Sequence, residues 1–217
     1  MRLIIIGSEY AGKTTLARSI RAWMKERMGD ATVMIHDHFL PSIGEGRRGV
    51  TPEEEEDEFL RLKPFALEMY MRYMTYYHLG HHFYADNDHF VVNWYYGDAV
   101  YAPMYFGYGG PGEYADRHVM ARANDAKVMS LAPDTVLVHL TASPEAIRER
   151  MRSEPRPNSR VREEDIEVIR DRFAAEFAST LIRRRITLDT TNSTPGEALR
   201  EFLELMGPHF TQADRVR

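Results

Sequence analysis

The sequence predicts an α/β fold, a parallel sheet with helices on both faces, and three observations lead there. Short β-branched runs alternate with helix-period stretches along the whole chain. The runs are continuously apolar rather than alternating, as in strands buried on both faces. The first run, LIII, passes straight into a glycine-rich turn that opens a helix, GSEYAGKTT at Gly7 to Thr15. At 217 residues, 43% apolar and 28% charged, the chain suits one domain over 1–217 with a sizeable core.

Each element has its own signal. Leu3 to Ile6 reads as a buried strand ended by Gly7. Leu16, Ala17, Ile20, Trp23, Met24 and Met28 recur at helical spacing over Lys13 to Met28, and Gly29 stops that helix. A second strand ends near His36 or Asp37. The loop LPSIGEGRRGV follows, and then Thr51 caps a helix with Pro52 at its first position and acids in its first turn. That helical stretch runs to about Tyr84, with a break expected at Pro64 or Gly80. His89 to Asn93 reads as the third strand, and the tyrosine- and glycine-rich Tyr95 to Tyr114 as an irregular connection before a helix to Ser130.

Thr135 to Leu140 is the fourth strand, and Ser143 and Pro144 open the next helix. The stretch SEPRPNSRVREED breaks it, and a helix from about Glu163 to Arg183 follows. The Arg183 to Arg185 triplet reads as a helix C-terminus complementing the dipole. A short strand, Ile186 to Leu188, and a helix over Pro195 to Met206 complete the pattern. In such sheets ligands bind beyond the carboxyl ends of the strands. The strand ends at Gly7, Asp37 and Asn93 are therefore expected close together.

Composition excludes several classes. Net charge is -5, which argues against bulk nucleic-acid binding. With no cysteine there are no disulfides, thiolate metal sites or cysteine nucleophiles. The apolar stretch at Met1 to Gly7 is too short for a signal or a membrane span, so a cytoplasmic, non-membrane protein is expected. His78, His81 and His82 have helical i, i+3, i+4 spacing, but no glutamate completes a zinc-protease pattern. Exposed or helix-end histidines are the expectation there.

The stretch GSEYAGKT fits G-x-x-x-x-G-K-[ST], and its strand-turn-helix context is the one this motif requires. Glycines let backbone N–H groups face inward, and the helix adds its positive end, so phosphate oxygens find donors. Gly7, Glu9, Ala11, Gly12, Lys13, Thr14 and Thr15 are the expected nucleotide-binding set. Lys13 supplies charge to the β- and γ-phosphates of ATP, and the Thr14 hydroxyl suits Mg²⁺. No N-K-x-D guanine signature and no strand of motor-ATPase type ending in aspartate accompany the motif.

Four stretches carry a resemblance to the P-loop nucleoside and nucleoside-monophosphate kinases, the thymidylate kinase-like group in particular. They are GSEYAGKTTL, LTASPEAIRERM, the arginines Arg148, Arg150, Arg152, Arg156, Arg160 and Arg162, and LDTTNSTPGEAL. The resemblance implies a five-stranded parallel sheet in the order 2-3-1-4-5 and an arginine-rich lid at about 150–164. It also implies an acceptor-binding region at about 38–115, and homodimers as the default. It implies transfer of the ATP γ-phosphoryl group to a small acceptor, with Arg148, Arg152 and Arg156 closing on that group.

In this group the acid at the position of Glu9 touches the acceptor sugar; the competing reading is a solvent-facing loop residue. The third strand of these kinases ends in Asp-Arg or Glu-Arg, whereas this chain has Val92-Asn93-Trp94. Asp37 then becomes the candidate general base or metal-bound acid, with a structural strand-end residue as the alternative. Missing phosphate-facing charge falls to Arg47, Arg48 or the lid. Tyr95, Asp98 and Tyr101, at a strand exit, are the further acceptor-binding candidates. Two rival readings stay open: a kinase for another metabolite or a polynucleotide 5′ end, and a non-catalytic nucleotide-binding regulator.

Overall fold

A computed structural model describes residues 1–28, 34–37, 58, 61–80, 88–156, 159–212 and 214, with the backbone alone at Met34, His36 and Asp37. Five strands form one parallel sheet: β1 (Arg2–Ile6), β2 (Met34–Asp37), β3 (His89–Val92), β4 (Val136–Thr141) and β5 (Arg184–Asp189). Their order across the sheet is β2-β3-β1-β4-β5. The central strand β1 pairs Ile5 with Val92 on one side and with Val138 on the other. Asp37 pairs with Val92 in turn, so the carboxyl ends of β2, β3 and β1 reach the same level.

Period-two alternation of a central strand sends successive side chains to opposite layers. Leu3 and Ile5 pack with Leu16, Ile20, Met24 and Phe202, on the side of α1 (Lys13–Arg27) and α7 (Pro195–Met206). Ile4 and Ile6 pack the other way, with Trp94, Tyr96, Val128 and Phe173. These come from α3 (Trp94–Tyr101), α4 (Arg117–Leu131) and α6 (Ile166–Ser179). Helix α2 (Pro64–His78) begins at Pro64, and α5 (Pro144–Ser153) is capped by Ser143, whose hydroxyl accepts the Ala146 N–H. No helix among the described residues is long and apolar enough to cross a membrane.

Three expectations need correction. The segment from Tyr95 is helical through Tyr101 and continues as a π-helical turn over Ala102–Phe106. Every residue of α3 is buried, so it has no polar face to produce a helical period. Helix α6 ends at Ser179 rather than near Arg183, because Thr180 turns extended and carries its hydroxyl to the Asp125 carboxylate at 3.0 Å. Arg184 and Arg185 belong to β5, an edge strand whose alternating burial leaves Arg185 exposed. The helix expected from Thr51 and the loop holding Arg47 and Arg48 lie outside the described residues.

Candidate nucleotide site

The turn between β1 and α1 is shaped by two glycines with different reasons. Gly7 has φ 147°, and a Cβ there would sit 2.2 Å from the Leu140 carbonyl oxygen, so β4 passes too close for any side chain. Gly12, at φ 86°, meets no such obstacle and is required by its left-handed backbone alone. As the N-cap of α1 it offers no side-chain cap, and the first turn contains no acid. The N–H groups at that end are therefore left facing outward with the helix dipole behind them, which is a ready anion site.

Lys13 is buried and its Nζ donates to the Ser8 carbonyl at 2.6 Å, folded onto the loop it belongs to. An open cavity lies over this turn, lined by Tyr10, Gly12, Lys13, Thr14, Thr15, Asn93 and Arg156. Thr14 is half-buried and Thr15 exposed. Asn93 is 1% exposed, and its Oδ1 has no hydrogen-bond partner among the described residues; the same holds for the buried Ser8 hydroxyl. Asn93 (φ 59°) and Trp94 (φ 45°) put two consecutive non-glycine residues at positive φ where β3 leaves the sheet. Such strain costs on the order of 1–3 kcal/mol per residue and clusters where it serves a site.

Glu9 does not face solvent. It is 2% exposed, its N–H donates to the Tyr101 hydroxyl at 3.1 Å, and its Oε2 accepts from Ser159 Oγ at 2.8 Å. Tyr101 thus reaches the phosphate loop, and burial beside Glu9 holds its phenol pKa well above the ordinary value. Tyr10 also has a left-handed backbone, φ 60°. Its carbonyl accepts from Arg150 Nη1 at 3.0 Å, and Arg150 Nη2 donates to the Thr190 carbonyl at 2.5 Å. The Thr190 hydroxyl donates to the Ala11 carbonyl at 3.0 Å. Arg150 and Thr190 thereby tie the phosphate loop to the exit of β5.

The expected site residues separate into groups. Of the phosphate-loop set, Gly12, Lys13, Thr14 and Thr15 line one cavity together with Arg156. Gly7, Glu9 and Ala11 do not line it, and Asp37 has its backbone at the adjoining strand end. Arg148 pairs with Glu167 at 2.5 Å and Arg152 with Glu163 at 2.5 Å, both on the outer surface and neither lining the cavity. Tyr95 donates to Asp125 at 2.7 Å. Asp98 sits against Arg117 Nε at 2.8 Å and accepts from the Tyr108 hydroxyl at 2.6 Å. Burial raises the Asp98 pKa against the pull of Arg117. Tyr95 and Asp98 line a second, smaller void with Arg72, Thr75 and Asn124. Arg47 lies outside the described residues.

Sequence reasoning missed Tyr10, Asn93 as a cavity group, and Arg150 as a tie to the loop rather than a lid arginine. Tyr10 occupies an unconstrained position of the motif, so only the clash of an aromatic with a glycine-rich turn could have marked it. The missing acid after β3 did mark Asn93, but as a loss. His78 closes α2 and is buried, its Nδ1 bonded to the Met74 carbonyl at 2.8 Å. Among the described residues no cluster of histidines and carboxylates could by itself hold a metal ion.

No family model matches the sequence, and no curated protein matches it. Solved structures do. The YorR protein of Bacillus subtilis, in complex with phosphorylated GDP, is similar with a TM-score of 0.56 and 15% identity. The match covers 97% of this chain and 99% of that one. Deoxyadenosine kinase of M. mycoides, with products dCMP and a flexible dCDP bound, is similar with a TM-score of 0.57 and 12% identity. Here 96% of this chain and 99% of the other are covered. Across nearly its whole length, then, this chain shares the α/β fold of those two proteins.

Proposed function

We propose that the chain is a magnesium-dependent phosphotransferase that moves the ATP γ-phosphoryl group to a nucleoside or nucleoside monophosphate. The observation that carries this reading is a single cavity where an uncapped helix N-terminus, Lys13 and Arg156 converge. Phosphoryl transfer needs positioning and charge neutralisation more than covalent chemistry from the protein. Loop and helix amides would hold the phosphate oxygens, and Lys13 would exchange the Ser8 carbonyl for them. The shared fold with a deoxyadenosine kinase supports a nucleotide-type acceptor.

The residues fit Mg²⁺. The Thr14 hydroxyl and the buried, unpartnered Asn93 Oδ1 are hard oxygen donors at the same cavity. This suits an ion held by one or two protein groups, with phosphates and water completing its shell. Bound there, magnesium neutralises charge on the phosphates. Asp37, level with Val92 at the strand ends, is the acid assigned to the acceptor hydroxyl proton. Glu9 would give up the Ser159 hydroxyl for a hydroxyl of the acceptor. Among the lid arginines the role on the transferring group falls to Arg156, since Arg148 and Arg152 are turned to surface carboxylates.

An ADP-release assay across nucleosides, monophosphates, sugars and oligonucleotide 5′ ends tests the reading. Stimulation by nucleosides or monophosphates is the expected result, and stimulation by sugars or 5′ ends alone would replace the acceptor class. Asn93, neutral where the resembling kinases carry an acid, favours the second reading, a nucleotide-binding regulator. Magnesium-ATP uptake with no acceptor stimulating turnover would establish that reading instead.

A further inference from the structure

Tyr10 adopts a left-handed backbone that a glycine would adopt without strain. Its side chain explains why a tyrosine stands there. The side chain packs in a small apolar cluster with Ala142, Ile147 and Ile166, which fixes it against the exit of β4 and helix α5. The Arg156 guanidinium lies over the ring, 4.8 Å from its centre. The hydroxyl accepts the Arg156 backbone N–H at 3.2 Å. One residue is thus held at both its main chain and its side chain.

The charge pattern gives this grip its meaning. Arg148, Arg152 and Arg162 are each paired with a carboxylate. Arg156 has no carboxylate partner among the described residues, yet it lines the phosphate-loop cavity. Burial and the neighbouring Glu9 raise the Tyr10 phenol above its ordinary pKa, so the ring stays neutral. An aromatic face can hold a guanidinium without cancelling its charge.

We propose that Tyr10 is a positioning residue: the phosphate loop carries its own aromatic anchor, which sets Arg156 over the cavity with its charge reserved for a polyphosphate. The ligand's identity rests on the phosphotransfer reading; the anchor itself does not.

Two readouts test it. Trypsin cleavage after Arg160 and Arg162 reports how firmly the segment following Arg156 is held, with no chemistry required. The split between kcat and KM for magnesium-ATP reports whether the guanidinium is placed. Tyr10→Leu keeps an apolar side chain in the niche but removes ring and hydroxyl; Tyr10→Phe restores the ring. Tyr10→Leu should be cleaved about tenfold faster and lose about tenfold in kcat, ~1.4 kcal/mol, with KM little changed. Tyr10→Phe should recover most of both. Arg156→Ala should match Tyr10→Leu, and the double variant should be no worse than Arg156→Ala alone.

Wild-type cleavage and kcat in Tyr10→Leu, or additive losses in the double variant, would overturn the proposal. If Tyr10→Leu does not fold, Arg156→Ala decides by cleavage: faster supports the anchor and unchanged rejects it. If the wild-type protein releases no ADP with any acceptor, the cleavage series still decides the anchor, and only the phosphotransfer reading fails.

Discussion

Two buried polar clusters flank helix α3, and they follow opposite rules. The first is centred on Asp125, which is 0% exposed. Its Oδ1 accepts from the hydroxyls of Tyr95 at 2.7 Å and Tyr96 at 2.6 Å. Its Oδ2 accepts from the Thr180 hydroxyl at 3.0 Å and the Leu181 N–H at 2.9 Å, with the Arg122 guanidinium 3.2 Å away. Arg122 also bridges to Glu176, which His118 meets from the other side. Both oxygens of the Asp125 carboxylate are used, each by two hydrogen-bond donors.

The second cluster, at the carboxyl ends of β1 and β3, leaves polar groups over. The Asn93 Oδ1 and the Ser8 hydroxyl are buried without a hydrogen-bond partner among the described residues, and α1 begins with no side-chain cap. A buried polar group without a partner costs free energy. A carboxylate engaged on both oxygens holds the fold together, whereas buried oxygens with spare hydrogen-bonding capacity beside an uncapped helix N-terminus suit a ligand. Helix α3 ties the two: Tyr95 and Tyr96 belong to the first, and Asn93, just ahead of the helix, to the second.

Substitutions on each side should separate the two clusters. The largest effect is expected at Lys13. Lys13→Ala should lower acceptor-stimulated ADP release about 10³-fold while leaving the thermal midpoint within a few degrees. Asp125→Ala should do the reverse, removing roughly 3–5 kcal/mol of unfolding free energy in urea by taking the shared acceptor from two buried phenols, the Thr180 hydroxyl and the Leu181 N–H. Little change in unfolding free energy for Asp125→Ala would erase the distinction between the clusters.

His139 gives a pH signature. On β4, burial and the charges of Arg170 and Lys13 lower its pKa from 6.5 to about 4. The unfolded chain therefore binds the extra proton first. The stability this neutral imidazole contributes is complete above pH 6.5 and drains as pH falls toward 4. Up to roughly 3 kcal/mol is at stake. His139→Phe, packing against Phe177 as the tilted imidazole does, should flatten that part of the stability-pH curve. An unchanged slope would show that His139 is not buried neutral.

A smaller effect is expected at Asn93. Asn93→Ala should cost about tenfold in turnover, because the carboxamide is aimed at a ligand, yet no more than about 1 kcal/mol of stability, because no internal hydrogen bond is lost. Stability loss without loss of turnover would move Asn93 into the structural class. The smallest is a control far from both clusters. Thr194 and Glu197 form a reciprocal cap at the start of α7, and Thr194→Ala should cost about 1 kcal/mol and leave turnover untouched.

Most of the framework was legible in the sequence, for reasons that also explain what was not. β1, α1, β4, α5 and α7 each carry a local signature: a buried β-branched run, a glycine turn, or a capping residue followed by proline. Helix α3 carries none, since it is enclosed on all sides and its tyrosines resemble a loop as much as a core. Arg184 and Arg185 suit a helix end or an edge strand equally, and only pairing with β4 decides. The phosphate-loop residues were legible because backbone geometry dictates their type. Which of the three named arginines lines the cavity was not, because Arg148, Arg152 and Arg156 share a four-residue spacing while α5 ends at Ser153. Arg156 leaves the helix and its direction is set by Tyr10, a contact with no signature in either segment.

A polyphosphate is the ligand proposed for the cluster at the carboxyl ends of β1 and β3. Isothermal titration of the protein with a non-hydrolysable ATP analogue and magnesium tests this most directly, with Lys13→Ala beside it. Saturable uptake by the native protein, weakened severalfold or more in Lys13→Ala, is the predicted result. Heat-silent titrations with adenosine and guanosine triphosphates alike, confirmed by equilibrium dialysis, would contradict it.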